Sequence, residues 1–193
     1  PGPFEYDQYK ARFIAFDAFN PESTEGLKPR CDEFRLGRLE SLPVEDESCD
    51  AVVMGFILEH VERPLDFLKE ADRVLRPGGW CYVAVPNHRS VEDRLFRLAT
   101  KIAGSTRGPH IQKFTFANFT ELTESNTRLR LQAWHLLPAS FYFLHRPRTA
   151  FLRRAAIAFF SGLKKIGLDM TREANYQFLF RRETGARLLG NAC

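Results

Sequence analysis

A chain of 193 residues with 44% hydrophobic and 27% charged residues has the size and make-up of one folded domain, and no apolar run in it approaches the ~20 residues of a membrane-spanning helix. A net charge of +4 gives no general case for nucleic acid. Cys31, Cys49, Cys81 and Cys193 show neither Cys-x-x-Cys nor Cys/His ligand spacing, so no metal site and no disulfide framework is expected, and reduced thiols in a cytoplasmic setting are the plain reading. Eighteen phenylalanines, many of them after residue 110, point to something large and apolar buried or bound in the second half.

In chain order, Arg12–Asp17 is a short apolar run ending in an acid, broken by Asn20-Pro21. Glu33–Leu36 reads as a second strand. Asp50–Gly55 is β-branched, apolar and closed by glycine, as suits a strand buried on both faces. Pro64 then opens the clearest helix. Leu65, Leu68, Ala71, Val74 and Leu75 recur at three- and four-residue steps, and Pro77-Gly78-Gly79 stops it. Trp80–Val85 is another buried strand. Ser90 and Asp93 have the spacing of a capping box before a helix to about Ala103. A loop at Gly104–Gly108, a short helix over Phe116–Ser125 and a strand over Arg128–Leu136 follow. Next come an amphipathic helix over Thr149–Ile166, with Phe151, Leu152, Ala155, Phe159 and Leu163 toward one side, and a last strand at Asn175–Arg181. Strand–helix alternation predicts an α/β fold with a mostly parallel, helix-covered sheet. Ligands of such sheets bind at the carboxyl ends of the strands.

Asp17 stands at one of those ends, where a carboxylate can accept two hydrogen bonds from a ribose diol; as a turn residue before Asn20-Pro21 it would need no ligand. Three further segments bear on the choice. They are Gly37–Val53 (GRLESLPVEDESCDAVV), Leu58-Glu59-His60-Val61, and Arg73–Gly79 (RVLRPGG). In this order and spacing they closely resemble the class I (Rossmann-like) S-adenosylmethionine-dependent methyltransferases, from about Phe13 to Asn87 and more loosely beyond.

The resemblance implies a three-layer sheet with an antiparallel last strand, filling residues 1–183 with a substrate lid at about 104–170 and a tail at 184–193. It implies S-adenosylmethionine as cofactor, with Asp17 on the ribose, Arg38 and Leu39 against the adenine, and Gly55 and Phe56 facing the methionine part. Two departures stand out. The family usually has an acid at Arg38, which accepts from the adenine amino group; Arg has no acceptor, so a backbone carbonyl or Glu40 must substitute, or adenine is held poorly. The Gly-x-Gly-x-Gly loop should precede Asp17 by about 15–20 residues. On that count Pro1-Gly2-Pro3 is the tail of the loop, Gly2 its last glycine, and the family's first strand is expected upstream of this sequence. Pro1–Lys10 as a plain terminus is the other reading.

Two histidines compete for a catalytic role. His60, in Leu-Glu-His-Val, is either a general base or a partly buried residue at a helix start, with Glu59 supporting that start. His110, in the Gly108–Thr115 loop before the Phe116 helix, is either a substrate contact or base, or an anchor for its loop. Methyl displacement from a sulfonium leans on positioning and desolvation, so no base is obligatory.

The acceptor is expected to be a small molecule, a lipid or a glycan-pathway intermediate. Phe114, Phe116, Phe141 and Tyr142 hint at an apolar or ring-shaped one. Met54-Gly55-Phe56-Ile57 stands where an amino-methylating enzyme carries Asn/Asp-Pro-Pro-Tyr, so exocyclic base methylation and a nucleic-acid partner are not expected. From Arg146 to Lys165 there are six Lys or Arg and no acid. The helix at 149–166 is therefore read as packed on the sheet with a solvated basic face, with peripheral membrane contact as the alternative. The oligomeric state is not readable. A methyltransferase-like scaffold that holds cofactor poorly is the runner-up function. A nicotinamide dehydrogenase would also use Asp17 but lacks any hydride-transfer constellation here.

Overall fold

Ile14–Asp17 (β1) and Glu33–Leu36 (β2) pair in parallel, from Ile14 opposite Glu33 to Asp17 opposite Leu36. The Asp32 carboxylate accepts the Phe13 N–H at 2.7 Å. Arg35 and Arg12 flank Glu33 at 2.6 and 2.5 Å and hold its carboxyl below the usual range. The computed structural model describes residues 11–17, 31–37, 41–102, 110–141 and 150–185; Gly2, Arg38, Leu39 and Glu40 lie outside them. The chain falls into two units, Pro1–Asp46, which holds this strand pair, and Glu47–Cys193.

The second unit is built on Cys49–Gly55 (β3), Leu75–Pro86 (β4), Leu129–Leu137 (β5) and Asn175–Arg182 (β6), in the order β3-β4-β6-β5. β3 and β4 are parallel, and β6 is antiparallel to both β4 and β5. Three of the four strands therefore run one way, and the reversed one is the last in sequence, as expected.

Period-two alternation decides the faces. Tyr176, Phe178, Phe180 and Arg182 of β6 are buried, in register with buried Val85, Val83 and Cys81 of β4. Pro64–Val74 (α1) and Phe116–Asn126 (α3) contact the sheet and each other. Phe119 stacks on Phe178 at 4.8 Å and meets Phe114 edge-on at 5.1 Å. Much of the phenylalanine excess is thus core, at roughly 1.5–3 kcal/mol per fully buried side chain. On the opposite face Val53 and Trp80 are exposed.

α1 buries Leu68, Ala71 and Val74 as its periodicity predicts. It ends at Val74, and Pro77-Gly78-Gly79 makes a tight irregularity early in β4. Gly78 has a φ of 81°, and a Cβ at Gly79 would come within 2.9 Å of the Arg76 carbonyl and 3.1 Å of the Asp50 carbonyl. Arg182, inside the core, donates to Asp72 of α1 at 3.1 Å and to Glu47 at 2.7 Å, and Asp72 also receives Arg128 at 3.1 Å.

Three expectations are corrected. The strand Asp50–Gly55, expected to be buried on both faces, has only Met54 buried, with Val53 open to solvent. Ser90 caps Val91–Ile102 (α2) by accepting the Asp93 N–H at 3.1 Å, but the Asp93 carboxylate does not return to close a box, because His110 takes it. A full box forms instead at α3, where Thr115 and Asn118 exchange bonds. The third correction concerns Ala150–Lys165 (α4). Its expected packing stripe is largely exposed: Phe151, Leu152, Ala155 and Phe159 face outward, and only Leu163 is half-buried. The helix leans instead on Arg153, Ala156, Phe160 and Leu163. Phe160 stacks on Phe141 at 5.3 Å and Arg153 donates to the Ser140 carbonyl at 3.0 Å. These two contacts turn the helix about a quarter-turn from the face its hydrophobicity favours. Among the described residues no helix is long and apolar enough to cross a membrane.

Candidate functional site

β3 ends at Gly55, and the next residue, Phe56, takes a left-handed φ of 55° while donating its N–H to the Ala84 carbonyl at 2.8 Å. For an aromatic residue that conformation is strained. A Cβ built at Gly55 would meet nothing within 4 Å. The strand therefore ends in open space beside bare backbone, which is what close approach of a ligand requires. In the first unit, Asp17 is the last residue of β1.

The chain then makes a 3-10 turn, Leu58–His60. Glu59 does not support the start of α1; Arg63 occupies the N-cap without a side-chain bond. Glu59 is instead 1% exposed, with no hydrogen-bond partner for Oε2 among the described residues and Oε1 3.8 Å from His60 Nε2. Burial pushes its carboxyl up to about 7, against the opposing pull of its own amide and of His110.

The backbone around Glu59 fastens a distant loop. Its carbonyl accepts the N–H groups of Ile111 and Gln112 at 2.8 and 3.1 Å, and Gln112 Nε2 donates to the Val61 carbonyl at 2.8 Å. His88, in the turn after β4, donates its N–H to the Phe114 carbonyl at 2.9 Å. These bonds set the His110 ring 5.1 Å from that of His60. The two histidines singled out from sequence, fifty positions apart, are neighbours at the carboxyl ends of β3 and β4.

His110 is held firmly. Its Nδ1 lies 2.8 Å from Oδ1 of the buried Asp93, and Phe96 covers it at 4.5 Å. The other Asp93 oxygen faces Arg97 at 3.3 Å and His88 at 3.4 Å. Arg97 donates to His88 Nδ1 at 2.7 Å, and burial, with Arg97 adding to it, keeps the His88 ring below its ordinary pKa. Sequence reading missed Asp93, His88 and Arg97. The i,i+4 spacing of Asp93 and Arg97 was the available signal.

Glu59, His60 and His110 each offer one ligating atom within 4.8 Å of the others and are, among the described residues, the group that could hold a metal ion. No motif announces them, since one of the three is fifty residues away. Phe114 and Phe141, read as lid residues, are 4% and 1% exposed and belong to the core. A cavity of about 680 Å³ lined by Arg130, Gln132, Arg181, Arg182, Glu183, Thr184 and Gly185 lies at the amino ends of β4 and β5, the end away from Gly55.

Residues 5–83 match the family profile described as a methyltransferase domain. A putative methyltransferase structure from Bacillus halodurans superposes with a TM-score of 0.61 at 17% identity, covering 91% of this chain and 84% of that one. The chain has the Rossmann-like fold of that structure, and residues 5–83 are similar to a methyltransferase domain.

Among curated relatives, the ubiquinone biosynthesis O-methyltransferase of Parvibaculum lavamentivorans is 32% identical over 104 residues, 52% of this chain and 41% of that protein. The biotin biosynthesis bifunctional protein BioHC of Teredinibacter turnerae is 25% identical over 155 residues, 80% of this chain and 25% of that protein. The chain thus spans from a quarter to two-fifths of the length of these relatives. The family's cofactor is S-adenosylmethionine, and the open backbone at Gly55 fits such a group.

Proposed function

We propose that the chain transfers a methyl group from S-adenosylmethionine to an oxygen of a small-molecule, lipid or glycan-pathway acceptor, with His110 accepting the acceptor's proton. The bond between His110 and Asp93 carries this reading. A carboxylate on Nδ1 fixes the imidazole tautomer, leaves Nε2 as the basic nitrogen and stabilises the imidazolium once it is protonated. The oxygen acceptor is suggested by the O-methyltransferase from Parvibaculum. When bound, the cofactor supplies a methyl activated by a positively charged sulfur. Of the chain's own residues, Asp17 would hold the ribose and Gly55 and Phe56 the methionine part. His60, beside His110, would orient the acceptor. Arg38, standing where the family has an acid, is the specific support for the runner-up, a scaffold that binds cofactor poorly.

Calorimetric titration with S-adenosylhomocysteine separates the two. Micromolar binding, weakened at least about tenfold in Asp17→Ala, supports the enzyme; no binding supports the scaffold. With an acceptor found by screening phenols, sugars and lipid-borne hydroxyls for methyl uptake, His110→Ala should lower kcat by about 10²–10⁴ while leaving S-adenosylhomocysteine affinity unchanged. An unaltered rate after chelation keeps His110 as the proton acceptor. Loss on chelation, restored by a divalent cation, would make His110 a ligand alongside Glu59 and His60.

A further inference from the structure

The outward face of α4 is apolar where a packed helix would be polar. Phe151 and Phe159 are 67% and 62% exposed, and Ile166, just beyond the helix, 72%. Leu152, Ile157, Leu168 and Met170 are exposed as well. At helical spacing Phe151, Ala155 and Phe159 form one row, and Arg154, Ala158, Ser161 and Lys165 form the next, so an apolar strip runs beside a polar strip with an exposed cation at each end. Arg153 is turned onto the Ser140 carbonyl and Lys164 pairs with Asp169 at 3.2 Å. The stretch from Arg146 to Lys165 contains no acid.

We infer that α4 and residues 166–170 form a membrane-docking surface for an anionic bilayer. The apolar row enters the boundary between headgroups and acyl chains, and the neighbouring cations meet the lipid phosphates. Charge complementarity favours this occupant over a second copy of the chain, which would set two such cationic faces against each other. The surface is also joined to the histidine cluster. Phe160 on the inner side of α4 stacks on Phe141, whose N–H is accepted by the Glu92 carboxylate of α2, one residue before Asp93. A docked bilayer would thus lie near a site that, on the methyl-transfer reading, takes a lipid-borne acceptor.

Co-sedimentation of the full chain with vesicles of neutral phosphatidylcholine, and with vesicles containing a third phosphatidylglycerol, tests the inference without any activity assay. Binding at least tenfold stronger to the anionic vesicles is expected. Phe151→Ser with Phe159→Ser should cut that binding by tenfold or more, and Arg154→Glu with Lys165→Glu should abolish the anionic preference. The far-ultraviolet circular dichroism spectrum and the urea unfolding midpoint should stay the same in both variants, which separates a misfolded variant from a real loss and keeps the outcome independent of the methyl-transfer reading. Absence of binding, or equal binding to both vesicle types, overturns the inference. So does a concentration-dependent dimer dispersed by the Phe151 and Phe159 substitutions.

Discussion

At the scale of single residues, strain and burial concentrate where β3 ends. Phe56 holds a left-handed backbone at about 1–2 kcal/mol, and nothing local demands it, since Gly55 beside it faces open space. On the proposed methyl-transfer reading, that strain aims the ring and the following turn at the methionine part of the cofactor. Phe56→Gly should therefore leave stability to urea within about 1 kcal/mol of wild type, while S-adenosylhomocysteine affinity falls about tenfold by calorimetry. Unchanged affinity would mean the ring plays no part in binding.

Glu59 gives a pH signature. Its carboxyl sits near 7 in the folded chain against 4.5 for an ordinary Glu, because burial disfavours the charged form. The native state thus binds this proton more tightly than the unfolded state, so the associated stability is present in acid. It is lost as pH climbs from about 4.5 to about 7, and is flat above that. Glu59→Gln, neutral throughout, should flatten the unfolding free energy across that window relative to wild type by an amount on the order of 2–3 kcal/mol. Parallel slopes for the two proteins in urea titrations would rule the assignment out.

At the scale of elements, the join between α1 and β6 depends on one carboxylate. Asp72 receives both Arg182, whose side chain is 1% exposed, and Arg128. Asp72→Ala leaves a buried guanidinium with Glu47 alone, and a loss of about 3–5 kcal/mol is expected in equilibrium unfolding. Adding Arg182→Met should restore much of it, because the cost lies in the orphaned charge. Elements also show how local signals compete. Ser90 and Asp93 have capping-box spacing, yet a histidine seventeen residues on outbids the backbone for the Asp93 carboxylate. Thr115 and Asn118 form a box despite lacking the usual Glu or Gln. In α4 the strongest hydrophobic face is not the packed one, since Phe141 and Ser140 offer contacts a quarter-turn away.

At the scale of the molecule, the strands stand where periodicity puts them, with ends shifted by one or two residues except in β4, which begins at Leu75, five residues before the expected Trp80, and takes in the Pro77-Gly78-Gly79 stop. β1 and β2 pair in parallel, as do β3 and β4, and the reversed β6 sits between β4 and β5. Trp80–Val85 and Asn175–Arg181 were legible because burial on one or both faces imposes apolar runs or strict alternation along a few consecutive residues; Asp50–Gly55 was legible from its β-branched apolar run, although only Met54 of it is buried. The likeness to methyltransferase domains was legible because its motifs are contiguous and ordered. Legibility ended where function depends on residues far apart in sequence. Nothing near position 110 reveals that Glu59's carbonyl will hold its loop, nor anything near position 60 that Asp93 will orient a histidine beside it. Sequence by itself determined the order of the elements, the likeness to methyltransferase domains and the names of the two candidate histidines. Only the tertiary structure decided that those histidines share one cluster, that Glu59 is buried with an unanswered oxygen, and which face of α4 meets solvent. Backbone conformation and alternation are set by neighbours within a few residues, whereas burial, pairing and desolvation are set by whatever the folded chain brings alongside.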